Sequence, residues 1–435
     1  MRKSRVRVWS GRIALGAAGL VAASALGVWL YLRGSMAQLD GELHAPVLHA
    51  QVSVARDAHG VPLISGADRL DVAYATGFVH AQDRYFQMDL LRRVAAGELS
   101  ELFGARALGV DRAHRLHRFR ARAALAVQAM PAAQRALLDR YVGGVNAGLE
   151  GLRTRPFEYA LIGMAPRPWS PEDTLLVIWA MYFDLQGGQE PRELARGWLM
   201  EHTDAAQRAF LAPPSSLWDA PLDAERLAVA DAPIPAAPPV WWGKRRAPNA
   251  PRTASAAFID MVGSNNWAVA GSRSTDGGAI VSDDMHLGIQ LPNTWYRAAL
   301  QFPDGAGGQR RVVGVTLPGT PAVVVGSNGR VAWGFTNSYG DYLDLIALDT
   351  DPAHAGQVRT QAGWETPVAH EETILVKGAP ADKLVVRETS LGPIRDVAGR
   401  QYAVHWAAHT AAAVNFNALQ LEAADSVQQA LAIAP

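Results

Sequence analysis

The chain contains 435 residues with 41 basic and 41 acidic side chains, and this zero net charge gives no support for a nucleic-acid-binding surface. It contains no cysteine, which excludes disulfides, thiolate metal ligands and a cysteine nucleophile. Apolar residues make up 49% of the sequence, which is enough for a large buried core.

The first 32 residues have the pattern of a membrane-targeting segment. Residues 1–12 carry five basic side chains, and residues 13–32 are uncharged and almost wholly apolar. A run of this length can cross a bilayer as a helix, whereas a signal-peptide core usually has about 7–15 apolar residues. We therefore predict an anchor at 13–32, with the basic flank in the cytoplasm and the remainder on the periplasmic side of the inner membrane. The alternative is a cleaved signal and a free periplasmic protein.

Residues 33–230 are dominated by the helical period. Apolar side chains recur every three or four positions along 68–104, which gives a helix one apolar face. Ser170 followed by Pro171 predicts an N-cap and a first helical residue. The pattern predicts further helices over 112–128, 132–149, 171–184 and 192–210.

Two charged stretches in this region have structural interpretations. The basic, histidine-containing run 112–120 is typical of a solvated helix face more often than of an anion site. Arg56 and Asp57 flank a predicted turn, and we expect them to form an ion pair with each other. Neither stretch is assigned a function.

A proline-rich spacer separates the helical part from a Gly-Ser step. Residues 231–262 contain six prolines, which oppose both helix and sheet, and such a stretch is suited to trimming. Gly263 and Ser264 follow, and then alternation typical of a strand. A cut before Ser264 would leave a serine whose own α-amino group, with a reference pKa of about 7.7–8.0, is its base. Gly-Ser steps are common in turns, so the order of these features carries the prediction.

The remainder is rich in predicted strands, so the whole chain indicates an α+β protein. Period-two patterns with turn signals between them predict these strands, and residues 412–433 look helical. The predicted strands cover 266–270, 278–283, 295–302, 311–316, 321–326, 331–336 and 343–349, with shorter ones over 353–410. Neither a Gly-x-Ser-x-Gly elbow nor a Walker A or His-Glu-x-x-His pattern occurs.

Several motifs together resemble the penicillin acylase family of N-terminal nucleophile hydrolases. They lie in the family's order at 54–62, 77–89, 263–270, 283–287 and 333–341. The resemblance implies an αββα sandwich, in which Ser264 begins a central strand, and an α/β heterodimer made from one self-cleaving precursor. In that scheme 33–230 is the α-subunit, 231–263 the spacer, and 264–435 the first part of the β-subunit. The implied activity is hydrolysis of N-acyl amides, such as a β-lactam side chain or an acyl-homoserine lactone.

The resemblance also implies roles for individual residues. Ser264 is the nucleophile and Gly263 supplies the carbonyl that it first attacks. The backbone N–H of Asn337 matches an oxyanion donor, and His286 matches a position beside the nucleophile, where histidine leans toward relatives with aliphatic acyl chains. A structural calcium ion is expected, with no organic cofactor. Its ligands would be Glu190, Asp341, Asp344 and the main-chain carbonyl of Leu343, although an acidic loop and an exposed glutamate have the same pattern.

One departure from the family concerns the end of the sequence. By the family's spacing, a second oxyanion donor and a nearby arginine fall after residue 435, so we expect a chain truncated within the β-subunit. Activity of such a chain does not follow from the resemblance. The competing hypothesis is a non-catalytic, membrane-anchored binding protein with an acylase-like fold.

Overall fold

The computed structural model describes residues 2–213, 232–243, 263–337 and 340–433. Helices dominate the first half of the chain, and one further helix lies near its end. The helices are α1 (Arg2–Gly34), α2 (Arg69–Ala96), α3 (Ser100–Phe103), α4 (Leu108–Arg115), α5 (Phe119–Ala129), α6 (Ala132–Glu150), α7 (Phe157–Leu161), α8 (Pro171–Gln186), α9 (Gln189–His202), α10 (Ala205–Leu211) and α11 (Val427–Ile433).

The strands form two large sheets and two small ones. The six-stranded sheet has the order β1-β2-β5-β6-β7-β8 and is antiparallel except where β2 meets β5, and the five-stranded sheet has the order β12-β13-β14-β15-β9. The pairs β3-β4 and β10-β11 stand apart. The strands are β1 (Ser53–Arg56), β2 (Pro62–Ser65), β3 (Ser264–Val269), β4 (Ile280–Met285), β5 (Tyr296–Pro303), β6 (Gln309–Thr316), β7 (Val323–Ser327), β8 (Ala332–Trp333), β9 (Leu343–Ala347), β10 (Val358–Thr360), β11 (Gly363–Glu365), β12 (Val368–Ile374), β13 (Asp382–Thr389), β14 (Gly392–Val397) and β15 (Arg400–Trp406).

Helices cover a face of each large sheet. Val72 and Val79 of α2 pack with Leu300 of β5 in one apolar cluster. In another cluster, Trp179 of α8 packs with Trp406 of β15. The predicted α+β class is confirmed, because helical and sheet layers share these cores.

The crossing of α2 and α6 depends on glycine. A Cβ atom placed on Gly144 would lie 1.8 Å from the carbonyl oxygen of Tyr74, and one on Gly77 would lie 2.2 Å from that of Tyr141. The two helix backbones therefore touch at positions where no side chain fits. This close crossing fixes α2, whose other face packs on the six-stranded sheet.

A buried arginine fastens α2 to the start of α8. Arg92 has no exposed surface; its guanidinium donates to Asp89 at 2.7 Å and to Asp173 at 2.6 Å. Asp173 also accepts the backbone N–H of Ser170 at 2.8 Å, as a capping-box residue does. The predicted start of the helix at Pro171 is confirmed.

Arginines around α4 and α5 pair with carboxylates of the β12–β13 hairpin, in what we call the ion-pair seam. Arg118, for example, donates to Glu372 at 3.2 Å and to Glu388 at 3.0 Å. The solvated face predicted for residues 112–120 is therefore wrong, since the partners lie far along the chain. The seam consists of the cations Arg112, Arg115, Arg118 and Arg122 and the anions Glu372, Asp382 and Glu388.

The predicted pair of Arg56 with Asp57 is also wrong. Arg56 instead lies 2.9 Å from the carboxylate of Asp83 on α2. Asp57 accepts the backbone N–H groups of Val61 and His59, which lower the pKa of its carboxyl group. Its carboxylate thus closes its own turn.

Helix boundaries differ from the predictions at residues whose backbone adopts the left-handed conformation, with a positive φ. The predicted helix 68–104 ends at Ala96 because Gly97 has a φ of 65°, and 112–128 is split at Arg118, which has a φ of 52°. The predicted helix 132–149 is confirmed as α6. Over 412–433 the structure has a 3₁₀ segment, Asn417–Ala423, and then α11.

The apolar N-terminal segment is helical, as predicted. Within α1, residues Arg12–Gly34 are long and apolar enough to span a membrane, and the apolar stretch that meets this criterion is not buried by the rest of the described chain. A signal sequence would meet the same criteria, so the helix is consistent with either form of export.

Candidate active site

Ser264 lies at the beginning of β3, opposite Met285 of β4. Its hydroxyl group donates a hydrogen bond to the carbonyl oxygen of Gly263 at 2.6 Å. The backbone N–H of His286 donates to the same oxygen at 3.3 Å. The hydroxyl group and the carbonyl that it is predicted to attack are therefore neighbours, and the His286 N–H is a donor of the kind that stabilises negative charge on that oxygen.

The strand that carries Ser264 is not central in the described part of the chain, contrary to our expectation. β3 bonds to β4 along one edge, and no other described strand bonds to it. The side chains from Asn265 to Ala268 are exposed, so no second layer formed by the described residues covers this strand. Among those residues, the site is open on the β3–β4 side.

His286 lies between an acidic side chain and the Gly263 backbone. Its Nε2 atom is 3.0 Å from Oδ2 of Asp284, and this hydrogen bond lowers the pKa of the Asp284 carboxyl group. A Cβ atom placed on Gly263 would lie 3.2 Å from Nδ1 of His286. The imidazole ring therefore has a carboxylate at one nitrogen and the Gly263–Ser264 junction beside the other.

Ser264 opens onto an apolar cavity of about 350 Å³. Helix α8 supplies one wall through Ile178, Met181 and Leu185, and β7 supplies another. The cavity has the size and character of a small-molecule site. An apolar group bound there would lie beside the Ser264 hydroxyl group.

Asn337 lines the same cavity as Ser264, as the resemblance implies for an oxyanion donor. It is partly buried, and it follows Phe335 and Thr336, which also line the cavity. Residues 338 and 339 of the same motif lie outside the described residues. The donor role of Asn337 stays a prediction.

The predicted calcium ligands are only partly together. Glu190 and Leu343 line a second cavity of about 190 Å³, but Glu190 pairs there with Arg395 at 2.8 Å. Burial raises the pKa of the Glu190 carboxyl group, and Arg395 opposes this. Asp341 and Asp344 are exposed, and together with Glu190 they do not form a group with ligand atoms within 4.8 Å of one another.

These residues, as arranged, do not fit a calcium ion. A hard cation takes several oxygen ligands around one centre, whereas the Glu190 carboxylate faces a guanidinium. Calcium binding stays a prediction from the resemblance. Arg395 already supplies a positive charge to the buried carboxylate, through a contact that the sequence does not indicate.

The penicillin amidase family model matches residues 51–435. The chain belongs to this family. Its match covers Ser264 and the cavity around it, so the site just described is that of a penicillin amidase family member.

Individual relatives agree with this assignment. The chain is 32% identical over 398 residues to the acyl-homoserine lactone acylase QuiP of Pseudomonas aeruginosa, covering 86% of this chain and 44% of that protein. It is 31% identical over 377 residues to the penicillin acylase 2 proenzyme of Pseudomonas sp. strain SE83, covering 83% of this chain and 46% of that protein. The chain thus spans less than half the length of these relatives.

Similarity to solved structures is weaker. A thermostable penicillin G acylase from Alcaligenes faecalis shares 25% identity and a TM-score of 0.34, covering 43% of this chain and 98% of the other. The family assignment therefore rests on the sequence match.

Two features of the candidate site were not predicted from the sequence. Asp284 lies two residues before His286, and alternate residues of an extended segment share a face, so this spacing could have indicated the pair. No pattern in the sequence indicates that α8 forms a wall of the cavity. Met181 and Leu185 look like any core residues of an amphipathic helix until the fold brings them to Ser264.

Proposed function

We propose that this chain supplies the nucleophile and acyl-binding cavity of an amidohydrolase that cleaves N-acyl amides. The observation that carries the proposal is the position of Ser264, next to the Gly263 carbonyl and in the lining of an apolar cavity. The names of its relatives, acyl-homoserine lactone acylase and penicillin acylase, support this class of substrate. The apolar walls favour an aliphatic or aromatic acyl group over a charged one.

The first reaction is proposed to be self-cleavage. The Ser264 hydroxyl oxygen attacks the Gly263 carbonyl carbon, the peptide C–N bond breaks, and the Ser264 nitrogen takes up a proton. Water then hydrolyses the ester, which frees the Gly263 carboxylate and the Ser264 hydroxyl group. Before the cut Ser264 has no free amine, so another base must accept its proton. We propose that His286, whose Nε2 atom bonds to Asp284 and whose Nδ1 atom lies beside Gly263, accepts it.

The second reaction uses the new N-terminus. The Ser264 hydroxyl group attacks the substrate's amide carbon, and its α-amino group takes the proton and passes it to the leaving amine. An acyl-serine ester remains, which water hydrolyses to the free acid. The predicted Asn337 N–H would stabilise the oxyanion, and loss of such a donor typically costs about 10²–10³ in rate.

Maturation and location follow from the same proposal. One precursor would give an α-piece and a β-piece held together without a covalent link. The piece that contains 13–32 would stay anchored on the periplasmic side of the inner membrane, or be released if the segment is cleaved as a signal. The exposed apolar helix α1 supports export in either form.

N-terminal sequencing and amine release test the proposal on the protein expressed at its full natural length. We expect a β-piece that begins at Ser264, and release of amine from at least one member of a panel of apolar N-acyl amides. Ser264→Ala should give one uncut, inactive chain. Ser282→Ala, a serine of β4 opposite Trp267, is the matched control and should cut normally.

The histidine has its own test. His286→Ala should slow self-cleavage by about 10²–10⁴, the usual contribution of a general base. A mutant that cuts at the normal rate would remove His286 from the mechanism. An uncut wild-type chain with full amidase activity would refute the nucleophile itself, and an uncut chain that binds acyl amides without turnover would favour the non-catalytic binding protein.

A further inference from the structure

The end of α1 is joined directly to the body of the protein. Thr154 donates its backbone N–H to the carbonyl of Gly34 at 3.1 Å and its hydroxyl group to that of Tyr31 at 2.9 Å. The Tyr31 hydroxyl group donates to the carbonyl of Arg155 at 3.2 Å. Gly34 is buried, and a Cβ atom there would lie 2.8 Å from the Thr154 side chain. The helix therefore emerges against residues 153–155 without an intervening linker.

Exposed apolar side chains flank this junction on both chain segments. Met36 and Leu39 follow the end of α1 and are 69% and 64% exposed. Helix α7 begins two residues after Arg155, and its Phe157 and Leu161 side chains are 42% and 79% exposed. We call these four residues the apolar collar. The collar is therefore apolar surface, next to the end of α1, that the described part of the chain does not cover.

Three arginines are the charged residues nearest the junction. Residues 33–39 and 151–157 contain Arg33, Arg153 and Arg155, and the acidic residues Asp40, Glu150 and Glu158 lie just outside these ranges. The Arg33 guanidinium lies over the ring of Trp29, 5.2 Å from its centroid. Tryptophan, tyrosine and arginine at a helix end are typical of the membrane–water interface, and cations there attract anionic lipid headgroups.

We propose that the apolar collar lies in the headgroup region of an anionic bilayer leaflet, on the side where α1 leaves the membrane. This rests on the proposed role of 13–32 as an anchor. Apolar side chains enter the boundary between headgroups and acyl chains, while Arg153 and Arg155 contact phosphate groups. Two collar residues follow the end of α1 in the chain, and the other two follow Thr154 and Arg155, which are hydrogen-bonded to that end. The body would then be held against the membrane in one orientation.

The absence of cysteine from the chain makes a direct test simple. Leu161→Cys can carry a single environment-sensitive fluorophore in the full chain, reconstituted in phosphatidylcholine–phosphatidylglycerol vesicles that contain nitroxide-labelled lipid. We expect a blue-shifted emission that the nitroxide lipid quenches. Leu125→Cys, equally apolar and 65% exposed on α5, is the matched control and should emit as in water.

A third label separates this proposal from the anchor on which it rests. Ser24→Cys lies within α1 and must be quenched if the helix spans the bilayer. Quenching at 24 without quenching at 161 would overturn the collar proposal and leave the anchor intact, whereas no quenching at 24 would overturn the anchor as well. A blue-shifted label at 161 that lipid does not quench would indicate a protein partner, such as a second copy, and would also refute the proposal.

The charge contribution has a separate readout. Arg153→Glu should reduce quenching of the label at 161 in vesicles with phosphatidylglycerol, and should have little effect in pure phosphatidylcholine. Equal quenching of the parent and the Arg153→Glu variant in anionic vesicles would show that anionic headgroups are not part of the surface.

Discussion

The crossing of α2 and α6 allows a prediction with a control one residue away. Gly143→Ala and Gly144→Ala make the same chemical change in the same helix. A Cβ atom on Gly143 would lie 3.7 Å from the Tyr74 ring, an ordinary contact, whereas one on Gly144 would lie 1.8 Å from the Tyr74 carbonyl oxygen. Alanine should stabilise position 143 by about 0.5–1 kcal/mol, because glycine in a helix interior loses more conformational freedom on folding.

At position 144 a steric clash outweighs the stabilisation that alanine would bring to a helix interior. The obstructing atom belongs to a helix backbone, so α2 and α6 must move apart and lose their interlocked contact. Overpacking of this kind costs about 1–3 kcal/mol and occasionally more, and we expect Gly144→Ala to unfold at lower urea concentration than the parent. Urea titration followed by far-ultraviolet circular dichroism, in one detergent for all three proteins, measures the difference. A Gly144→Ala protein at least as stable as Gly143→Ala would refute the close crossing.

Three further predictions concern buried charges. Arg92→Ala removes one of the two cations from each of two buried aspartates, leaving Arg93 on Asp89 and Arg120 on Asp173, and should lower the free energy of unfolding by at most about 3–5 kcal/mol in the same titration. Burial lowers the pKa of both His80 and His409 to about 3, whereas a histidine in the unfolded chain has a pKa of about 6.5. The unfolded chain therefore binds more protons below pH 6.5, and the free energy of unfolding should fall, for each of these histidines, by up to about 1.4 kcal/mol per pH unit between pH 6.5 and 3. A free energy of unfolding that stays constant from pH 7 to 5 would contradict this. Glu190 already faces Arg395, so a calcium chelator should leave the melting temperature of the parent protein unchanged, whereas Arg395→Ala should lower it. A parent protein whose melting temperature falls with the chelator would restore the calcium prediction.

Local signals in the sequence were sufficient for some parts of the fold. The α6 period and the Ser170 cap depend on neighbours within one or two turns, and both were predicted close to their observed positions. The order of spacer, Gly263 and Ser264 likewise identified the nucleophile candidate. These features need no knowledge of distant segments.

Long-range partners could not be predicted. Arg56 pairs with Asp83 rather than its neighbour, because the fold brings α2 to β1 and the Asp57 carboxylate is used within its own turn. Arg118 adopts a left-handed backbone and bonds to strands whose position only the complete fold determines. Glu190 illustrates the same limit at the candidate site, since its partner Arg395 lies on β14.

The ion-pair seam also determines which surfaces can meet after the proposed cut. Its α-side carries only arginines and its β-side contributes only carboxylates, so the two pieces attract each other while two copies of the same piece repel through this surface. Most of these groups are largely buried in the pair, where salt screens less than it does at an open surface. This separation of charge between the two pieces favours the pairing of unlike pieces. Separately produced α- and β-pieces should therefore associate with each other rather than with themselves, even at ionic strengths that screen exposed ion pairs.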